Sequence, residues 1–183
     1  MKIVLASSSS GRQMLMKEAG FDFIVDPADI DERKYNYKSA KKLVKILAQK
    51  KAEVVAKRHE NAIVIGSDLM VSFQDKQIGK PDNAEDAKRI LKILRGETHQ
   101  VLTATTVINT KTGEINTIEE SANIKMRQYS DREIEQYVST GEPLDKGGAY
   151  AIQGRGRSLV ESINGDEATI IGLPMQELKK YLE

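Results

Sequence analysis

A chain of 183 residues with 30% charged and 39% hydrophobic side chains can bury a real core, and is too polar for a membrane protein and too apolar for a disordered one. Its 28 basic and 27 acidic side chains leave a formal net charge of +1, and it has three Phe and no Trp, so neither a global field nor a stacking platform favours nucleic acid as a partner. The absence of cysteine excludes disulfides and thiolate chemistry, and two histidines, His59 and His99, are too few for a histidine-rich metal site.

No apolar run approaches the roughly 20 residues of a membrane helix, and the opening Met1-Lys2-Ile3-Val4 reads as a strand rather than a leader, so a single domain over residues 1–183 in the cytoplasm is expected, with no membrane contact. In chain order, residues 3–6 read as a strand, and Ser10 as the cap of a helix that Gly20 stops. Residues 21–25 read as a second strand, followed by an acidic loop, 26–32, and a long amphipathic helix over 39–58. The uncharged run 63–66 predicts a strand buried on both faces that ends at Asp68, and residues 69–73 and 77–78 predict a hairpin. Asn83 suits the cap of a helix over 84–94. Strands at 100–109 and 114–128 flank the turn 110–113, and Ser130 with Glu133 has capping-box spacing for a helix ending at Gly141. A glycine-rich loop over 147–156, strands at 158–163 and 168–171, and a helix after Pro174 complete the chain. This order implies an α/β fold that becomes antiparallel in its second half.

Several residues could carry chemistry. Asp68, where the buried run ends, is placed to hold a metal or activate water, or simply to cap a turn. Glu32 is the acid we pair with it, Asp29 and Asp31 being competitors for the same role. The loop Ser7-Ser8-Ser9-Ser10-Gly11-Arg12 lies between a strand and a helix start, an anion site by geometry, although a serine-rich cap beside a surface arginine has the same pattern. Lys80, between Gly79 and Pro81, suits a phosphate or an ordinary surface turn. The lysines of the long helix read as its wet face, and His59 as a cap near its end. The loop from Glu142 through Tyr150 exposes backbone that could meet a base or ribose, and Gln153 could pair with a base edge, or the segment could be a tight turn alone.

Taken together, these motifs resemble the Maf family of nucleotide pyrophosphatases, related in fold to the inosine-triphosphate pyrophosphatases. The resemblance spans the chain: Leu5-Ala6-Ser7 with Ser9 and Arg12, Asp31-Glu32, Lys51-Ala52, Gly66-Ser67-Asp68, Gly79-Lys80-Pro81, Thr98-His99, Gly141-Glu142-Pro143-Leu144-Asp145-Lys146, Ile152-Gln153-Gly154 and Gly172-Leu173-Pro174. It implies an elongated mixed sheet with flanking helices, two lobes around a cleft, and a homodimer. It also implies hydrolysis of nucleoside triphosphates to monophosphate and pyrophosphate with a divalent cation, Mg²⁺ or Mn²⁺. By position, the resemblance makes Asp68 the acceptor of the attacking water's proton and, with Glu32, the metal ligand. Ser7, Ser9, Arg12, Lys51 and Lys80 would hold the triphosphate, and Gln153 the base. At the three base-selecting positions the chain has Gly11, Leu69 and Gln153, where members resembling the dTTP/UTP enzymes have Arg, Thr and Gln, so relaxed or altered base selectivity is expected. The rival expectation is a nucleotide-binding regulator of cell division or septum formation with little turnover.

Overall fold

The computed structural model describes residues 1–182. The sheet comprises β1 (Lys2–Leu5), β2 (Phe23–Val25), β3 (Ala62–Phe73), β4 (Lys76–Ile78), β5 (Thr98–Asn109), β6 (Glu114–Met126) and β7 (Val160–Asn164). The helices are α1 (Ser10–Glu18), α2 (Ala40–Ala56), α3 (Ala84–Leu94), α4 (Asp131–Val138), α5 (Glu167–Ile171) and α6 (Met175–Leu178). The seven strands run in the order β2-β1-β3-β5-β6-β7, with β4 added to β3. β1 lies parallel to both β2 and β3, and every other pairing is antiparallel, so the fold is mixed α/β.

β3 determines where the site can be. One of its edges pairs with β5 without interruption from Ile63 to Ser72. The other pairs with β1 from Ala62 to Ile65, then with β4 only from Val71 onward. Between these partners, Gly66, Ser67, Asp68, Leu69 and Met70 lie on a sheet edge that no strand covers. The expected break at Asp68 is therefore absent: Ser67 and Asp68 stay in the ladder opposite Thr105 and Ala104, and what ends is β1, not β3.

α2 packs on β3 and β5 and buries Leu43, Val44, Leu47, Ala48, Ala52 and Val55. Gly66 is where α2 and β3 meet most closely. A Cβ there would lie 2.4 Å from the Ala52 nitrogen and 2.5 Å from the Ala48 carbonyl oxygen, so only glycine admits the helix backbone at this depth. Leu91, Leu94, Ile124, Met126, Ile134 and Leu159 belong to one core shared by α3, α4, the end of β6 and the turn that leads into β7. Leu5, Leu15, Met16, Ile65, Leu173 and Leu178 form a second apolar cluster around α1 and α6.

Three further sequence expectations change. Residues 168–171 form part of α5, not a strand: Asp166 accepts a hydrogen bond from the Ala168 nitrogen, and Gly172, at φ 104°, closes the helix in the left-handed region. The cap of α1 is Ser9, whose Oγ accepts from the Arg12 nitrogen. His59 does not cap α2; its Nε2 lies 2.7 Å from Asp26 Oδ2. That hydrogen bond is the main reason the Asp26 carboxyl is held below its ordinary value.

Candidate active site

The uncovered edge of β3 opens into a cleft of about 960 Å³ that Ser7, Ser9, Gly11, Arg12, Glu32, Lys51, Asp68, Leu69, Lys80 and Gln153 all line. These ten residues are thus brought to one cavity from six separate stretches of chain, whereas the competing acids Asp29 and Asp31 do not line it. A smaller hollow of about 230 Å³ lies away from it, over α2, β5 and β6. There Lys41 and Lys45 already pair with Glu119.

The depth of α2 over Gly66 places Lys51 directly on Asp68. Lys51 sits four residues after Leu47 and four before Val55, in the stripe that faces the sheet, so its ammonium reaches inward and not to solvent. Its Nζ donates to Asp68 Oδ1 at 2.5 Å and lies 2.7 Å from Glu32 Oε1. The Lys51 and Asp68 side chains are 12% and 9% exposed, whereas Glu32 is 53% exposed. Burial pushes the Asp68 carboxyl above the usual carboxylate range, against the pull of Lys51 and Arg12 and with a further push from Glu32.

Glu32 belongs to a 3-10 turn, Glu32–Lys34, on the acidic loop. The loop is tethered at one end by Asp26 to Arg58 and His59, and at the other by Gln77, whose amide donates to the carbonyls of Tyr37 and Lys38. Asp31 pairs with Arg33 at 3.0 Å, and Asp29 is exposed, so neither competitor shares Lys51 with Asp68.

Across the cleft, Arg12 is fixed by two bonds: its Nε donates to the Gly172 carbonyl at 2.9 Å and its Nη1 to Ser7 Oγ at 3.0 Å. Burial pulls its guanidinium below its ordinary value while Asp68 and Glu32 pull it back up, and it remains a cation. The Gly172 carbonyl also accepts from Ser67 Oγ at 2.7 Å, and Ser67 accepts from Thr105 at 3.0 Å. This buried chain of bonds ties α5, β3 and β5 beneath the site. Ser67 and Thr105 share their strands with other hydroxyl residues, Ser72 on β3 and Thr103 and Thr106 on β5, so the sequence did not single them out. Lys80 is exposed at the rim and has no ion-pair partner among the described residues. The Gly79 carbonyl accepts from the Gly148 nitrogen at 3.1 Å, joining the two glycine-containing walls.

Comparison with known proteins places the chain in a family. It matches the family described as Maf-like protein over residues 2–183. The chain belongs to that family. It is 44% identical over 182 residues to the "dTTP/UTP pyrophosphatase" of Dictyoglomus turgidum, an alignment covering 99% of this chain and 94% of that protein. It is 36% identical to the protein of the same description from Bacillus cereus, covering 100% and 94%. Among solved structures, a HAM1 protein from Coxiella burnetii aligns over 100% of this chain and 98% of its own, with a TM-score of 0.54 and 13% identity, a likeness of fold alone.

In this Maf-like chain all three base-selecting positions line the cleft; Gly11 and Leu69 differ from the pyrimidine pattern, Gln153 keeps it, and Gly11 lies against Gln153. A Cβ at Gly11 would meet Gln153 Oε1 at 2.7 Å and Ile171 Cγ2 at 2.9 Å, so the Gln153 amide occupies space that a side chain at residue 11 would claim. The Gln153 Nε2 lies 3.5 Å from Met14 Sδ. Leu69, which also lines the cleft, offers it no polar side-chain group.

Two acids and no third metal-ligating side chain converge here; among the described residues no group of three or more His, Cys, Asp or Glu side chains gathers anywhere. A small hard cation needs only one or two protein carboxylates when phosphate oxygens and waters complete its shell. The oxygen donors of Asp68 and Glu32, already drawn to a single ammonium, fit that requirement.

Proposed function

We propose that this chain is a nucleoside triphosphate pyrophosphatase, a hydrolase acting on an acid anhydride. A water oxygen attacks the α-phosphorus, the bond from that phosphorus to the oxygen bridging it to the β-phosphorus breaks, and a nucleoside monophosphate and pyrophosphate leave. The observation that carries this reading is Asp68: a buried carboxylate with a raised pKa, on a rigid strand, beside a buried ammonium in a cleft ringed by cations. A carboxylate so placed can take the proton of the attacking water. Arg12, Lys51, Lys80 and the N-terminal turn of α1 would bind and neutralise the triphosphate, with Ser7 and Ser9 orienting Arg12 and the turn. Asp68 and Glu32 would hold Mg²⁺ or Mn²⁺, which when bound offsets phosphate charge and lowers the pKa of water.

Gln153 is the polar group assigned to the base. The relatives' descriptions make dTTP and UTP the first substrates to test, and the lack of donors at Gly11 and Leu69 points to weaker rejection of other bases. The family resemblance supports a homodimer; no helix of the described residues is long and apolar enough to cross a membrane.

The test is pyrophosphate release from dTTP, UTP and dGTP with Mg²⁺ or Mn²⁺, by wild type and Asp68→Asn. Wild type should turn over, and the variant should lose on the order of a hundredfold or more in kcat, the scale of positioned acid-base catalysis. Near wild-type turnover by a folded Asp68→Asn protein would move the chemistry to another group.

A further inference from the structure

Gln153 stands on a short turn that has no regular partner strand, yet the turn is held on both sides. After it, Glu142 receives two backbone hydrogen bonds: the Arg155 nitrogen donates to Oε1 and the Gly156 nitrogen to Oε2, each at 3.0 Å. Before it, the Ala151 nitrogen donates to Tyr137 Oη at 3.1 Å. Burial pushes the Glu142 carboxyl up, but the nearby Tyr137 hydroxyl and the Gly156 and Arg155 nitrogens hold it below its ordinary value. Tyr137 and Glu142 thus form one clamp around residues 151–156, built on α4 and the 3-10 turn Glu142–Asp145 that follows it.

Glycine at 154 is a condition of this clamp. A Cβ there would fall 1.9 Å from Glu142 Oε1 and 2.6 Å from Cδ, inside any real contact. Gly156 is equally constrained, since its Cβ would lie 2.5 Å from Tyr137 Oη. The glycines flanking this turn therefore make room for the two side chains that grip its backbone. Both Glu142 oxygens are spent on backbone N–H groups, which leaves this acid poorly suited to hold a metal or accept a proton from water, although it lines the same cleft as Asp68.

We propose that Glu142 is a positioning residue for substrate recognition: it fixes the turn that presents Gln153, and so tightens binding of the nucleoside part of the substrate without touching the triphosphate. The proposal rests on Gln153 being the base-binding residue, as proposed above. An amide whose paired donor and acceptor must meet a base edge gives its full hydrogen-bond energy only if the backbone beneath it is held still. A carboxylate accepting two N–H bonds is a stronger anchor than a neutral amide, which would present a donor to one of those N–H groups.

The experiment compares wild type, Glu142→Gln, Gly154→Ala, Gln153→Ala and the double variant Glu142→Gln with Gln153→Ala. The readouts are kcat and KM for dTTP, and the inhibition constant of inorganic tripolyphosphate, which carries the phosphates without a base. Glu142→Gln and Gly154→Ala should each raise KM for dTTP by about tenfold, the scale of one lost charge-assisted hydrogen bond, with kcat and the tripolyphosphate constant within about twofold. The double variant should be no worse than Gln153→Ala, because Glu142 acts only through that side chain. If Glu142→Gln leaves KM unchanged while Gln153→Ala raises it, or if the two effects add in full, the positioning role is overturned and the base-binding role of Gln153 stands. If Gln153→Ala leaves KM for dTTP unchanged, the base-binding reading itself fails, and this inference fails with it. Equal weakening of dTTP and tripolyphosphate, or failure of both Glu142→Gln and Gly154→Ala to fold, would make Glu142 a general support of the fold and overturn the proposal.

Discussion

Replacing Lys51 with Met keeps most of the side-chain volume and removes the ammonium that Asp68 and Glu32 share. The two acids respond differently, because one is buried and the other is not. Glu32, 53% exposed, regains water and should contribute little to the change. Asp68, 9% exposed, is left as an uncompensated charge in a site where burial already raises its pKa. Breaking a buried pair from one side costs about 3–5 kcal/mol when the remaining charge persists, and less when it can take up a proton. The sign follows from linkage. An acid whose folded pKa is raised binds more protons folded than unfolded, so the variant is relatively stabilised in acid and loses stability as pH rises from the unfolded value through the folded one. Urea unfolding of wild type and Lys51→Met at pH 5 and pH 8 should therefore show a larger deficit for the variant at pH 8.

The companion variant separates stability from chemistry. Lys51→Met combined with Asp68→Asn removes both charges and should recover most of the deficit at pH 8, whereas pyrophosphate release should remain lost in both proteins. A pH-independent deficit, or one that the second substitution does not relieve, would refute the account of Lys51 as the counter-charge of Asp68. Near wild-type turnover by Lys51→Met would remove it from the site.

Lys80 is exposed and unpaired among the described residues, so Lys80→Ala should change stability by no more than about 0.5 kcal/mol while raising KM for dTTP and dGTP by the same factor; a loss confined to one base would assign it to the base instead. His99 is buried against Tyr150, its Nε2 2.7 Å from Tyr150 Oη, and burial pulls its pKa down to about 4. A depressed histidine pKa stabilises the fold above the unfolded value near 6.5 and withdraws that contribution as pH falls toward 4, by about 3 kcal/mol in all. His99→Gln, which can still meet the Tyr150 hydroxyl, should flatten the fall in unfolding free energy between pH 6.5 and 4.5, and an unchanged slope would assign that fall to other groups.

Much of the fold was legible because local signals and packing agree. The run of Ile63, Val64 and Ile65, the capping box at Ser130 and Glu133, and the Asn83 cap each specify an element without help from distant residues. Residues 168–171 misled for a physical reason: Thr169, Ile170 and Ile171 favour a strand by side-chain shape, but Asp166 and Gly172 close both ends of a helical turn, and end-closure won. Lys51 was hidden among lysines that are mostly wet. Its position four residues from Leu47 and from Val55 marked it as inward-facing, a signal carried by periodicity and masked by composition. The bond from Arg12 to Gly172, between residues 160 apart in the chain, had no local signal at all, and neither did the hold of Glu142 on Arg155 and Gly156.

The position of Asp68 has a consequence for how the site can work. An acid on a loop could swing between water, metal and substrate, but Asp68 is held in a strand ladder opposite Ala104, below a helix that Gly66 admits to within contact of the backbone. Little rotational freedom remains there, so the carboxylate is preorganised, and the energy of keeping it buried is offset by Lys51 and, at longer range, Arg12. The less constrained parts are elsewhere: Glu32 on a loop tethered mainly at its two ends, and Lys80 at the rim. Such a division suits a reaction in which the attacked phosphorus must be placed against a fixed base, while the groups that admit substrate and release product give way. It also explains why the sheet leaves β3 uncovered for five residues. Pairing that edge would satisfy the backbone but lay a strand along the side of the cleft on which Asp68 stands.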